Sequence, residues 1–171
     1  RQTRDRQPGS TAETGDEIWR WYTTKEGDWT GNFTNVAPDG TPLSRDIKAE
    51  QDLASRYALG WAAGSASPWH TPTVDNELGL LYVATGNPAP GEIDLMRPGD
   101  NLYSDGVAAL DLETGELRWF FQQVPHGTLD ATTQNVLFDL PQAGGASVSA
   151  LVNCGKTGFC YVLNRETGEL L

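Results

Sequence analysis

An internal repeat limits what this chain can fold into more than any other feature. Glu13-Thr14-Gly15-Asp16 is followed by Trp19, and Glu113-Thr114-Gly115-Glu116 by Trp119. Glu166-Thr167-Gly168-Glu169 is followed by Leu170 and Leu171, the last residue. The glycines stand 100 and 53 residues apart, two periods and one period of about 50 residues, which is the length of a propeller blade. Glycine supplies the positive φ of a tight turn between two strands. A Trp four residues later falls on the returning strand, where its ring can pack between neighbouring units. The third copy predicts a Trp at the position after Leu171, so the chain reads as an internal piece cut in mid-blade. Chance recurrence of a Thr-Gly turn is the competing explanation, and the shared acidic frame at one period argues against it.

Strand signals fit the repeat. Segments 78–85, 106–112 and 117–122 are rich in branched and aromatic residues, with the second Thr-Gly turn between the last two. Segments 146–153 and 158–163 form another such pair, and 136–140 is a further short strand. The predicted fold class is all-β: a β-propeller fragment with about three blades' worth of chain at this period. One blade is expected from about Gly60 to Phe121 and an incomplete one from Gln122. Residues 1–11 are predicted to be disordered or foreign to the fold, because Arg1–Ser10 contains three Arg and no large apolar residue. The partial propeller is then 12–171, with a long insertion at about 22–60. Within that insertion, Ser44–Arg56 predicts a short helix capped by Ser44, with Ile47, Leu53, Ala54 and Tyr57 on one side. Insertions on a rigid scaffold often cover a site.

Charge excludes one function class. With 12 Lys+Arg against 23 Asp+Glu, the net charge is −11, which argues against tracking nucleic-acid phosphates. The longest apolar-or-glycine run, Ala58–Gly64, is far too short for a membrane span. No apolar leader follows Arg1, so no signal peptide is visible in this stretch. Cys154 and Cys160 flank a hairpin-like turn. A bridge across it and two partly buried thiols are both open readings, and neither fixes a compartment.

Several residues could carry chemistry. Asn87 sits in Gly86-Asn87-Pro88-Ala89-Pro90, where glycine and prolines hold the backbone in a fixed shape. A side-chain carbonyl fixed there suits a hard cation such as calcium, although the same pattern also makes an ordinary turn. Trp69 lies just before a strand. Arg97-Pro98-Gly99-Asp100-Asn101 reads as a rigid polar surface turn. Asp130, in Pro125-His126-Gly127-Thr128-Leu129-Asp130, is either a general base or a solvated loop residue. Lys156 stands in a hairpin turn. Gly155-Lys156-Thr157 is no phosphate loop, since the upstream glycine is missing and a strand follows.

Taken together, these residues resemble a known family. The spacing of Trp69 and Asn87, the Gly-Asn-Pro-Ala-Pro segment and Met96-Arg97-Pro98-Gly99-Asp100-Asn101 are similar to the pyrroloquinoline-quinone (PQQ)-dependent alcohol dehydrogenases. Ala109 to Trp119 looks like that family's tryptophan-docking motif, and the segments around His126–Asp130 and Lys156 follow in order. The resemblance covers roughly Trp61 to Leu171. It implies an eight-bladed propeller with PQQ and calcium on its axis, located in the periplasm. It implies Asn87 as a metal ligand, Asp130 as the catalytic base and Trp69 as the floor under the quinone. Lys156 would bond the quinone oxygens, and Ser67 would be a polar neighbour of the cofactor. The implied reaction oxidises a small alcohol to an aldehyde by hydride transfer to PQQ, with electrons passing to a cytochrome c or similar acceptor. The isolated piece is expected to be inactive, because it cannot close a ring.

There are departures from the family pattern. Gly127, Thr128 and Leu129 replace the family's acidic and aromatic residues, which would reshape the substrate pocket. Thr132 stands where lanthanide-using members carry a second Asp, which favours calcium. Nothing in Arg1–Ser10 matches the family's metal-binding Glu, no adjacent-Cys pair is present, and no haem motif is visible. The alternative function is a non-catalytic propeller scaffold that uses the docking repeat for protein binding. Such a scaffold does not require Asn87, Asp130 and Lys156 together.

Overall fold

The computed structural model describes residues 6–91, 93–127 and 132–171. Among the described residues, three antiparallel sheets follow one another along the chain. The first pairs β1 (Arg6–Ser10) with β2 (Glu17–Tyr22). The second is a four-stranded meander of β3 (Thr73–Asp75), β4 (Leu80–Thr85), β5 (Gly106–Asp111) and β6 (Leu117–Gln122). The third contains β7 (Val136–Pro141), β8 (Ser147–Cys154) and β9 (Cys160–Asn164). Leu170 bridges back to Leu163, the start of a further pairing.

The middle sheet is buried on both faces, which explains why its strands read as unbroken apolar runs. Alternate residues of β4 and β5 face opposite ways. Leu80, Tyr82, Val107 and Ala109 pack on Leu151, Tyr161 and Leu163 of the third sheet. Leu81, Val83, Ala108 and Leu110 pack on Trp21 of the first. These contacts stack the sheets as blades.

The repeat is the joint between blades. Gly15, Gly115 and Gly168 have φ of 77°, 71° and 77°. In each copy the glycine N–H donates to the carbonyl four residues back, Thr11, Asp111 or Asn164, at 2.8–2.9 Å. Trp19 of the first blade lies on Gly115 of the second, where an added Cβ would meet its ring at 2.5 Å. Its indole N–H donates to the Leu112 carbonyl at 3.1 Å. Trp119 repeats this on the third blade, against Gly168 and the Arg165 carbonyl at 3.3 Å. The same joint is therefore made twice, one blade further on. Arg165 adds an ion pair across the second joint, with Nε 3.3 Å from Asp75 Oδ2.

The structure corrects several expectations. Arg6–Ser10 is not outside the fold: it forms β1, in register with β2 from Arg6 opposite Tyr22. Backbone pairing needs no apolar side chains, and the Trp19 ring lies against Gly9. Thr73–Gln122 forms the four-stranded blade, whereas Gly60–Ala63 is one helical turn, α2. The helix α1 spans Ile47–Ala54, shorter than 44–56, and its cap is Asp46, whose carboxylate accepts from Ala49 N at 3.0 Å. Ser44 has φ of 54° and stands outside the helix. The residue α1 buries is Glu50, not an apolar stripe. Trp29 fills the space beneath α2 and is 3% exposed. Cys154 and Cys160, register partners on β8 and β9, are joined by a disulfide. Among the described residues, no helix is long and apolar enough to cross a membrane.

Candidate functional site

Strand register gathers the candidate residues. Thr85 pairs with Gly106, and Gly106 pairs with Gln122. The segment after β4, the segment before β5 and the segment after β6 therefore emerge at one end of the middle blade. The first holds Asn87, the second Arg97–Asn101, and the third leads through His126 to Asp130. β3 is antiparallel to β4, so Ser67 and Trp69, which precede β3, lie at this end too. In the third blade, Val136 pairs with Val152, so the β8–β9 turn with Lys156 opens in the same direction. Thr157 beside Lys156 shares a cavity of 350 Å³ with Gln123 and Val124.

Ser67 and Asn87 are on adjoining segments. Gly86 N donates to the Ser67 carbonyl at 3.1 Å, and Ala89 N to the Ser65 carbonyl at 3.0 Å. The Asn87 side chain is half-buried, and its Nδ2 donates to the Pro88 carbonyl at 3.3 Å. Trp69 is 57% exposed, with its ring 4.3 Å from His70 between centroids. Lys156 is exposed on its turn. Asp130 lies outside the described residues, as do Thr128 and Leu129. Thr132, two residues after Asp130, is buried, and its hydroxyl has no hydrogen-bond partner among the described residues.

The Arg97–Asn101 turn is not on the surface. Arg97, Asp100 and Asn101 are 1%, 3% and 0% exposed. Asp100 accepts from Asn32 N at 3.0 Å, Thr34 N at 2.7 Å and Thr34 Oγ1 at 2.8 Å. Arg45 Nη1 donates to Asp100 at 2.8 Å, and Arg45 Nη2 to Glu50 at 2.6 Å. Arg45 also donates to the Thr34 carbonyl. Glu50 in turn accepts from Gly99 N at 3.0 Å. Burial alone pushes the Glu50 carboxyl up, but Arg45, the Gly99 N–H and His126 outweigh it and hold its pKa below the ordinary value. These charges are buried because each is paired and hydrogen-bonded. The insertion is thus bolted to the blade by charge. Sequence reasoning missed this network, since its members are up to 68 residues apart.

His126 closes the group. It has φ of 57°. Its Nδ1 is 2.7 Å from the Gly99 carbonyl, so Nδ1 carries the proton, and 3.6 Å from Glu50 Oε2. Burial lowers its pKa, and Gly99 and Glu50 restore part of the shift.

The comparisons with known proteins follow the same lines. The family model described as PQQ, "Glucose/ethanol/alcohol dehydrogenase, beta-propeller domain", matches residues 9–171. The quinoprotein alcohol dehydrogenase PedH of Pseudomonas putida is 34% identical over 160 residues, covering 93% of this chain and 26% of that protein. The quinohemoprotein alcohol dehydrogenase of Comamonas testosteroni is 31% identical over 171 residues, covering 94% of this chain and 22% of that protein. A crystal structure of the Comamonas testosteroni quinohemoprotein alcohol dehydrogenase matches with a TM-score of 0.73 at 29% identity, covering 98% of this chain and 24% of that one. A europium-containing methanol dehydrogenase shares the fold, with a TM-score of 0.74 at 24% identity over 98% of this chain and 29% of that one. The chain spans about a quarter of the length of these curated relatives. With its docked tryptophans, its stacked blades and a match across residues 9–171, the chain belongs to the β-propeller family of glucose, ethanol and alcohol dehydrogenases.

Proposed function

We propose that this chain is part of a longer periplasmic quinoprotein that oxidises a small alcohol to an aldehyde with PQQ and calcium, passing electrons to a cytochrome c or similar acceptor. The carrying observation is the Thr85–Gly106–Gln122 register. It brings the Asn87 segment and the segment leading to Asp130 to one end of a blade, with Ser67 alongside.

The residues present fit these groups in kind. The exposed Trp69 ring offers a flat apolar face to a planar quinone. Asn87 offers a neutral oxygen to calcium, which takes six to eight oxygen ligands. Among the described residues, no cluster of three His, Cys, Asp or Glu side chains converges. Asn87 therefore supplies only part of a coordination shell.

Trp69, Lys156 and Ser67 would hold the quinone and Asn87 the cation, and the bound groups would supply a hydride acceptor and a Lewis acid. The chain's own residues do the rest. Asp130 takes the hydroxyl proton of the alcohol as general base. Lys156 donates charge-assisted hydrogen bonds to oxygens that gain negative charge. Trp69 orients the planar group, and Ser67 is a polar neighbour beside Asn87.

The test is Asp130→Ala in the longer protein, assayed with alcohol, PQQ, calcium and an artificial electron acceptor. The expected result is a loss of turnover of at least 100-fold, the scale of general-base catalysis, with PQQ still bound. Undiminished turnover refutes the assignment of the base.

A further inference from the structure

We infer that Arg97 is a positioning residue. It holds the segment carrying Asn87 and the segment leading to Asp130 in one fixed relation. This rests on the proposed function for what the two segments do, but the clamp itself is read from the geometry.

Arg97 is 1% exposed, and its guanidinium spans three segments. Nε donates to the Pro90 carbonyl at 3.0 Å, three residues beyond Asn87. Nη1 donates to Asn101 Oδ1 at 2.6 Å and to the His126 carbonyl at 3.3 Å, four residues before Asp130. Asn101 Nδ2 donates back to the Arg97 carbonyl at 2.7 Å, so the side chain is locked to its own turn. A planar fork with donors on several edges can make these bonds at once, and an ammonium cannot match them.

The backbone around Arg97 is tied the same way. Asp105 N donates to the Gly86 carbonyl at 2.9 Å, and Gln123 N to the Asp105 carbonyl at 2.7 Å. His126 N donates to the Asp100 carbonyl at 3.2 Å. These bonds tie the two segments to the blade, and Arg97 adds side-chain bonds to both of them, at Pro90 and His126. Burial disfavours its charge, while Asp94, Asp105 and Glu50 favour it. A buried arginine that costs desolvation yet bonds both segments is poorly explained by stability alone. Precise placement of reacting groups does explain it, because displacements of about 1 Å can cost 100-fold in rate.

The experiment uses the longer protein with Arg97→Met and Arg97→Lys. The first readout is amide hydrogen exchange of residues 86–91 and 123–127, with β4 and β5 as internal reference. The second is the calcium concentration that half-saturates protein stripped of metal. The expected result is that both segments lose protection together by at least 10-fold, β4 and β5 are unchanged, and calcium binding weakens at least 10-fold. Arg97→Lys should recover little, because one ammonium cannot reach Pro90, Asn101 and His126. If Arg97→Met does not fold, Arg97→Lys decides. The inference is overturned if, with the strands protected, both segments exchange within twofold of the parent, or if only one is released. Asn87→Ala separates the two levels. If it leaves calcium binding unchanged while Arg97→Met still releases both segments, the proposed function fails and the clamp stands.

Discussion

Trp119 and Gly168 form the joint between two blades: an added Cβ at Gly168 would stand 2.7 Å from Cδ2 and Cε3 of the indole. The backbone there also has φ of 77°. Gly168→Ala therefore meets both a disfavoured conformation and an overlap. The expected loss is about 2–4 kcal/mol. Gly158 provides the control: φ is 82° with nothing within 4 Å of the added atom. Gly158→Ala should cost only about 1 kcal/mol. Urea unfolding of both variants checks this, and equal losses would show that the ring contact contributes nothing.

The Arg45–Asp100 pair is the second test. Its side chains are 6% and 4% exposed and 2.8 Å apart. Either Arg45→Met or Asp100→Ala leaves a buried charge short of its partner, at about 3–5 kcal/mol each. The double variant should lose clearly less than the sum, because neither charge is then stranded. A double-mutant cycle by chemical denaturation measures the coupling, and strict additivity would mean the two charges do not interact.

Stability should fall on acidification. His126 and Glu50 both have folded pKa values below their ordinary ones of 6.5 and 4.5. As pH drops through each ordinary value, the unfolded chain takes up a proton that the folded chain resists, so unfolding is favoured. The contribution of His126 is full above about pH 6.5 and is lost below it, and that of Glu50 is lost below about pH 4.5. Thermal denaturation from pH 8 to pH 4 should show a decline, and His126→Asn should flatten its upper part. Asparagine tolerates the left-handed backbone at this position. A rise in stability between pH 7 and pH 5 would contradict the buried neutral imidazole.

The Cys154–Cys160 bridge closes a hairpin whose strands are already hydrogen-bonded. With a sequence separation of 6, its chain-entropy contribution is about 2 kcal/mol. Reduction should lower the unfolding free energy by about that amount and leave the far-ultraviolet circular dichroism unchanged. Collapse of the sheet signal on reduction would show that the bridge, rather than the packing of Leu151 and Leu163, holds the third blade.

Much of the fold is legible because its signals are local. The four-residue step from glycine to indole repeats with its turn, and Gly15, Gly115 and Gly168 have φ within a few degrees of one another. The segment 117–122 is β6, and 78–85 contains β4. The insertion carries fewer local signals. Ser44 looks like a helix cap, but Asp46 takes that place, and Glu50 is buried because Arg45 and Gly99 N meet it there. Asp130, the expected base, lies outside the described residues.

The blade period and the docking tryptophans are thus set by the sequence alone. Those properties reside in short stretches, where spacing fixes which side chains share a strand face or a turn. Only the tertiary structure decided that Arg97–Asn101 is buried and that Arg97 joins the Pro90 and His126 segments. It also decided that charge holds the insertion to the blade. Burial of a charged group depends on partners that arrive from distant parts of the chain, and no local period encodes that meeting.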